Sequence, residues 1–292
     1  DRAEKRTYCK RGRIRLCEVL PLFFMSNKKP LLLATNDDGI QSGFLITLVE
    51  ELIKDFEVVT CAPDGERSWI GHAISRNAKL LPKKVKDYPS LAYSLNGTPA
   101  DCVNLACGNL LDRKPDIIVS GINLGYNITM PMILSSGTVG AAMEASLLGH
   151  RAMACSMCLP NEEFEGIRKS GGKELSKKVE KSLRNSAKAC ARYAKNMASM
   201  SKSEGLSVHN LNFPSPYNGK EEPILTFADN LMLGNLFEPT PGQKYHQLVY
   251  RPEWLDEAEV EIGSDLWALK EGMPSVSRLD FQGASGRSYF EV

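Results

Sequence analysis

A chain of 292 residues, 42% hydrophobic and 24% charged, has the make-up of an ordinary globular protein, with enough length to bury a sizeable core in one large or two smaller domains. Its formal net charge of +1 excludes a general electrostatic pull toward nucleic acid or membrane, so any basic patch has to be argued locally. Eight cysteines, scattered and partly inside apolar runs, argue against a disulfide scaffold and fit reduced thiols in a reducing, cytoplasmic compartment, and no run approaches the ~20 apolar residues of a membrane helix.

Residues 1–24 are expected to be an extension outside the fold. Arg2 to Arg15 is strongly basic and Leu16 to Phe24 mostly apolar, which imitates the first two regions of a signal peptide. Glu18 and Pro21 interrupt the apolar part, however, and no small-residue cleavage site comes after it. Met25 to Pro30 looks like a cytosolic start directly before a first strand. Residues 25–214 then form the expected α/β core, and residues 215–292 an appended arm.

Leu31-Leu32-Leu33-Ala34 has no polar interruption, the pattern of a strand covered on both faces in a parallel sheet. The run stops at Thr35-Asn36-Asp37-Asp38-Gly39. Neighbouring strand residues point to opposite faces, so Asp37 and Asp38 converge only where the backbone turns, which Gly39 permits. Two hard carboxylate donors at the carboxyl end of a parallel strand lie where open α/β sheets place their ligands, and they favour Mg²⁺ or Mn²⁺. Standing alone, Asp-Asp-Gly reads as a solvated turn; only further motifs at the same sheet edge raise it to a site.

Phe44, Leu45, Leu48, Val49, Leu52 and Ile53 recur at three- and four-residue spacing and predict a helix; Phe56 to Ala62 predicts a second strand, ended by Pro63 and Asp64. The β-α-β crossover is right-handed, which brings the loop Pro63 to Ser68 to the same sheet edge as the two carboxylates. A serine there can complete a metal shell, although loop serines more often cap or turn. His72 to Tyr93 has weak periodicity and predicts short strands or a hairpin. Thr98 as N-cap and Pro99 at the first helical position open a helix carrying Val103, Leu105, Ala106 and Leu110. Asp116 to Asn123 repeats the logic of the first element, an apolar run ending in small and polar residues.

Asn123 to Ser135 predicts a loop long enough to be functional. It leads into Ser136-Gly137-Thr138-Val139-Gly140, a helix start whose small residues and free N–H groups suit an anion. A phosphate cradle and a capped helix with a small packing face are equally open from this stretch. Arg151 to Cys158 predicts a short strand. Lys173 to Met200 predicts a long helix with Leu175, Val179, Leu183, Ala187, Cys190, Ala194 and Met197 on one face and a basic, solvated exterior. Cys155 and Cys158 have CxxC spacing without a second pair nearby and read as packing residues. Leu206 to Phe213 is a further strand closed by Pro214. Ser215 to Val292 is rich in Pro, Gly and aromatic residues, with strand-like pieces around Tyr245 to Tyr250 and Ser275 to Phe281, and is expected to exchange between subunits.

Five stretches in this order carry a resemblance: Thr35-Asn36-Asp37-Asp38-Gly39; Ala62-Pro63-Asp64 with Glu66-Arg67-Ser68; Asn96-Gly97-Thr98-Pro99 with Asp101-Cys102; Ser120-Gly121-Ile122-Asn123; and Ser136-Gly137-Thr138-Val139. Over about residues 30–150 the chain resembles the SurE family of stationary-phase survival proteins, metal-dependent 5′/3′-nucleotidases. A fainter likeness runs through Asn210 to Pro214 and through Ser264-Asp265 with Ala268-Leu269 and Glu271-Gly272. The resemblance implies a three-layer Rossmann-like, mostly parallel sheet with a C-terminal β-rich arm used for dimer or tetramer assembly. It implies one divalent cation on Asp37, Asp38, Ser68 and Asn123, and phosphate contacts at Asn36, Gly39, Ser136, Gly137 and Thr138. The implied substrates are nucleoside monophosphates, with short polyphosphate cleaved by some members. The loop after Asn123 departs from the family pattern: Gly125-Tyr126-Asn127 is succeeded by Thr129 and Pro131, with no acid before Ser136.

The chemistry expected from these residues is hydrolysis of a phosphate monoester, with Asp37, Asp38 and Ser136 as candidate catalytic residues. Asp37 is the candidate base and Ser136 an open candidate nucleophile. Two rivals stand beside it. An aspartyl-phosphate phosphatase needs Asp-x-Asp spacing, whereas the pair here is adjacent; a non-catalytic nucleotide-binding protein would keep the metal and phosphate site while the altered loop disables turnover.

Overall fold

In the computed structural model, residues 28–200, 206–249, 251 and 253–281 are described. The expected extension over residues 1–24 lies outside the described residues.

The apolar run forms β1 (Leu31–Thr35), buried at all five positions because it is paired in parallel on both sides. α1 (Gly43–Leu52) buries Phe44, Leu45, Leu48, Val49 and Leu52, and the chain returns as β2 (Glu57–Pro63). β3 (Lys83–Val85) and β4 (Leu91–Leu95) make the expected hairpin. α2 (Pro99–Leu105) opens on a capping box: Thr98 Oγ1 accepts from Asp101 N at 3.0 Å and Asp101 Oδ2 accepts from Thr98 N at 2.8 Å. It widens into a π-helical turn at Ala106–Leu110 before β5 (Ile117–Leu124).

α3 (Met130–Ser135) and α4 (Gly137–Leu147) come next, then β6 (Ala152–Met157), α5 (Asn161–Lys169), α6 (Lys177–Ser199) and β7 (Ser207–Phe213). The chain ends in β8 (Ile224–Thr226), β9 (Phe237–Pro239), β10 (His246–Leu248), α7 (Glu253–Asp256), α8 (Asp265–Lys270) and β11 (Ser275–Asp280).

The main sheet runs β3-β4-β2-β1-β5-β6-β7-β11-β8, parallel from β4 through β7. Alternate residues of β1 serve the two faces. Leu32 and Ala34 pack with α1 and α6, whereas Leu33 packs with α2 and α4, which gives the three layers. The chain builds outward from β1 through β2 on one side and through β5 on the other, so the order reverses between β1 and β5, and a crevice opens beyond their carboxyl ends.

Three segments differ from the sequence expectation. The loop Asn123 to Ser135 closes on α3, with Pro131 in its first turn, where a missing N–H costs nothing. The stretch before the long helix forms α5, with Glu162 and Glu163 at its positive end and Arg168 and Lys169 at its negative end, and α6 starts later than expected, at the Ser176 cap. Beyond residue 214, β11 pairs antiparallel with β7 and carries β8 at its far side, so this part of the expected arm completes the main sheet; β9 and β10 form a separate hairpin.

The basic exterior of α6 is a solvated face, with ion pairs from Arg184 to Glu180, Arg192 to Glu222 and Lys195 to Asp55. The six described cysteines are free, with Cys155 buried inside β6. Among the described residues no helix is long and apolar enough to cross a membrane.

Candidate active site

Asn36 shapes the turn that leaves β1. Its side-chain oxygen accepts from Gly39 N at 3.2 Å and its amide donates to Gly39 O at 3.1 Å, so both ends of the amide brace the turn. Gly39 sits at φ +98, and a Cβ there would stand 3.1 Å from the Gly65 carbonyl carbon, so this position demands glycine. The loop after β2 docks on the turn through Ile40 N to Pro63 O at 2.8 Å and Arg67 N to Asp37 O at 2.7 Å.

Asp37 and Asp38 occupy consecutive positions of this turn, and Asp37 borders a cleft. Asp37 Oδ1 accepts the Thr138 hydroxyl, and Asp38 Oδ2 accepts from Leu124 N at 3.1 Å. Gly137 brings the start of α4 against Asp37: an added Cβ would lie 2.8 Å from Asp37 Cβ and 2.9 Å from its Oδ2. Asn123 stands at the end of β5, where the register against β6 slips between Ser120 and Asn123, and this irregularity re-aims the side chain. Its Oδ1 lies 3.4 Å from Thr138 Oγ1 while its amide donates to Gly125 O at 2.9 Å.

Burial drives the electrostatics. It pushes the Asp37 carboxyl up to about 6 against the lowering effect of the Thr138 hydrogen bond. Burial, and then the charge of Asp37, push Asp38 well above the ordinary carboxylate range. Among the described residues no Lys, Arg or His forms an ion pair with either carboxylate. Buried charges are paired or coordinate metals. With no cluster of three or more His, Cys, Asp or Glu among the described residues, the donors are two carboxylates and neutral oxygens, a set that suits a hard divalent cation.

The remaining expected site residues are placed unequally. Ser68 borders the same cleft, and its hydroxyl donates to Glu66 Oε1 at 2.9 Å. Ser136 also borders it, as the N-cap of α4, its Oγ accepting from Val139 N at 3.1 Å. Of the three amides expected to cradle phosphate, Ser136 N already donates to Ile133 O at 3.3 Å and Thr138 N to Asp37. The cradle is therefore already engaged at two of its three positions.

These groups open into a cleft of about 550 Å³ lined by Asp37, Ser68, Asn123 and Ser136 together with residues of α5. A family model described as Survival protein SurE matches residues 32–229. The chain belongs to the SurE family. Similar curated proteins include the "5'-nucleotidase SurE" of Thermoanaerobacter sp. (strain X514), 35% identical over 86% of this chain and 92% of that protein. The protein of the same name from Christiangramia forsetii is 44% identical over 50% of this chain and 57% of that protein. Among solved structures, the SurE protein from Aquifex aeolicus superposes with a TM-score of 0.68 at 27% identity, covering 90% of this chain and all of that one.

In this SurE chain the sequence reading missed the far wall of the cleft. Asn161, Phe164, Glu165 and Arg168 line it from α5, with Leu159 just before. The signal was present as Pro160 ahead of two acids, with Phe164 and Ile167 at three-residue spacing. It also missed what holds the loop after β5. Asn127 N donates to Asn212 Oδ1 at 2.8 Å and Asn210 Nδ2 donates to Asn127 O at 2.7 Å. Thr129 N donates to Asp265 Oδ2 at 3.0 Å from the head of α8. The fainter likeness at Asn210 to Pro214 and Ser264-Asp265 thus falls on residues that pin the cleft loop.

Proposed function

We propose that the chain is a divalent-metal-dependent phosphomonoesterase that hydrolyses nucleoside 5′- and 3′-monophosphates to nucleoside and phosphate. The observation that carries this is the pair at the switch point: Asp37, buried and packed on the first turn of α4, and Asp38, partly buried next to it, neither with a cationic partner among the described residues. The curated relatives named "5'-nucleotidase SurE" support the 5′-monophosphatase part of this reading.

Asp37, Asp38, Ser68 and Asn123 would hold the cation. When bound, Mg²⁺ or Mn²⁺ supplies charge neutralisation for the phosphate and polarises water. The chain's own residues do the rest. Asp37, which borders the cleft, is the candidate base that takes a proton from the attacking water as the new P–O bond forms. The ester P–O bond breaks, and the nucleoside leaves as an alcohol once its oxygen is protonated. Gly137 and the positive end of α4 favour the charge gathering on the phosphate oxygens. The Ser136 oxygen, accepting from Val139 N, supports a capping role over a nucleophilic one.

The far wall favours a nucleotide over short polyphosphate. Its Arg168 is paired with Glu66 at 3.2 Å and Glu165 at 3.1 Å, which leaves little cationic character for a second phosphate. Assembly as a homodimer or homotetramer through the arm is supported by Phe237 of β9 and Tyr245 just before β10, 64% and 53% exposed. A cytoplasmic location is supported by the six free cysteines.

Phosphate release from the four nucleoside 5′-monophosphates and one 3′-monophosphate, with EDTA or with added Mn²⁺ or Mg²⁺, tests the proposal. Metal-dependent release is expected. Folded protein that binds nucleotide but releases no phosphate with any metal overturns it in favour of a binding protein.

A further inference from the structure

Resting on that reading, we propose that α5 supplies the nucleoside subsite, with the base lying against Phe164 and Leu159 and its polar edge reaching Asn161. The cleft is continuous from Asp37 and Asn123 to these residues, and its volume of about 550 Å³ accommodates a whole nucleotide rather than a phosphate group alone. A phosphate held at the acid pair therefore directs the rest of its molecule toward α5.

Phe164 is positioned for this. A Cβ on Gly125 would lie 3.4 Å from Phe164 Cε2, so the ring stands over Gly125, two residues beyond the candidate ligand Asn123. Phe164 remains half-buried, while Leu159, which also lines the cleft, is buried. Trp69 lines the cleft too; it adjoins Ser68 and holds φ 57, a left-handed conformation that a bulky residue rarely adopts and that concentrates at binding sites.

The helix is also fixed rather than loosely applied. Ile167 is 2% exposed beneath it, Gly171 O just past its end accepts from Gly43 N at 2.9 Å, and Arg168 reaches Glu66 across the cleft. Phe164 and Leu159 give the wall an apolar, aromatic surface, and Glu165 and Glu66 also line the cleft, which suits a neutral, flat base and opposes a second phosphate.

The test compares nucleoside monophosphates with ribose 5-phosphate, which has the same phosphate and sugar but no base. Phe164→Leu keeps an apolar side chain of similar reach and loses the π face, and Phe164→Tyr keeps both; melting curves verify that each variant folds. Phe164→Leu is expected to raise KM for nucleotides by about fivefold with little change in kcat, to move KM for ribose 5-phosphate less than twofold, and to be reversed by Phe164→Tyr. Equal shifts for both substrates, or none for either, overturn the subsite while leaving phosphomonoesterase activity in place. Folded wild-type protein that cleaves neither substrate overturns the activity and the subsite with it.

Discussion

Thr138 donates its hydroxyl hydrogen to Asp37 Oδ1 across 101 residues of chain, and the Thr138 hydroxyl oxygen itself lies 3.4 Å from Asn123 Oδ1. One hydroxyl on the first turn of α4 thus ties α4 to the end of β1 and stands beside the end of β5. Thr138→Val keeps the shape and deletes the bond. Outer partners of metal ligands are typically worth ~10–100-fold in affinity or activity, and a loss of that size is expected in both Mn²⁺ titration and phosphate release. Thr138→Ser should retain most of both. An unchanged Mn²⁺ affinity in the valine variant would count against Asp37 as a ligand.

Gly137 makes the same junction sensitive to a single methyl group. Alanine is a better helix former than glycine, so helix propensity alone predicts a more stable Gly137→Ala protein. Contact predicts the reverse: the new Cβ would meet Asp37 Cβ at 2.8 Å and the Arg67 carbonyl oxygen at 3.0 Å, neither of them the end of a flexible side chain. Overpacking of this kind costs ~1–3 kcal/mol, more than the propensity gain. Denaturant unfolding should therefore show lower stability together with weakened metal binding, and a stabilised variant would mean that α4 is free to move away from Asp37.

Two of the raised carboxyls, Asp37 and Asp265, set opposite pH dependences for the metal-free and metal-loaded protein. Asp37 and Asp265 titrate near 6 in the folded chain because of burial, against ~3.9 for an unfolded aspartate. Between these values the folded state holds protons that the unfolded state has released, so stability falls as pH rises from about 4 to about 6. With EDTA, these groups favour a higher melting temperature at pH 5 than at pH 7.5. A cation needs the ligands deprotonated, so the rise in melting temperature on adding Mn²⁺ should be larger at pH 7.5 than at pH 5. A larger metal effect at pH 5 would exclude the Asp37 and Asp38 pair as its ligands.

How far the site could be read in advance depended on whether its parts were local. Leu31 to Gly39 declares a buried strand, a turn and two acids within nine residues, and the β-α-β rule then carries Ser68 to the same edge. Asn123 was legible as a residue at a strand end, but its aim depends on a register slip against β6 that leaves no trace in its own sequence. Ser136 to Thr138 declared a helix start, yet which amides remain for a ligand depends on Ile133 O and Asp37. β11 was legible as the strand-like piece Ser275 to Phe281, though not its pairing with β7, and β8 was hidden for a similar reason. A short edge strand takes its identity from the neighbour it pairs with, here β11, more than from any pattern of its own.

Asp265 joins the end of the chain to the cleft. Its Oδ1 accepts from Asp229 N at 3.0 Å and Leu266 N at 2.8 Å, and its Oδ2 from Thr129 N at 3.0 Å. Thr129 holds φ 60 directly before α3, so the bond secures a costly backbone conformation in the segment that leads to Ser136. Asp265→Asn separates the two halves of this clamp. The amide oxygen best replaces Oδ1, which serves two donors, and the NH₂ then confronts Thr129 N–H, donor against donor. The turn around Asp229 and Leu266 should survive while the loop loses its tether, at a cost of ~1–3 kcal/mol for the unpaired group. Asp265→Ala, which abandons three backbone donors, should cost more. Phosphate release by the asparagine variant should drop severalfold, with proteolysis or hydrogen exchange enhanced around Tyr126 to Ser135 and unchanged in β1. Full activity together with an unaltered exchange pattern would show that Asn127, Asn210 and Asn212 hold the loop without help from α8.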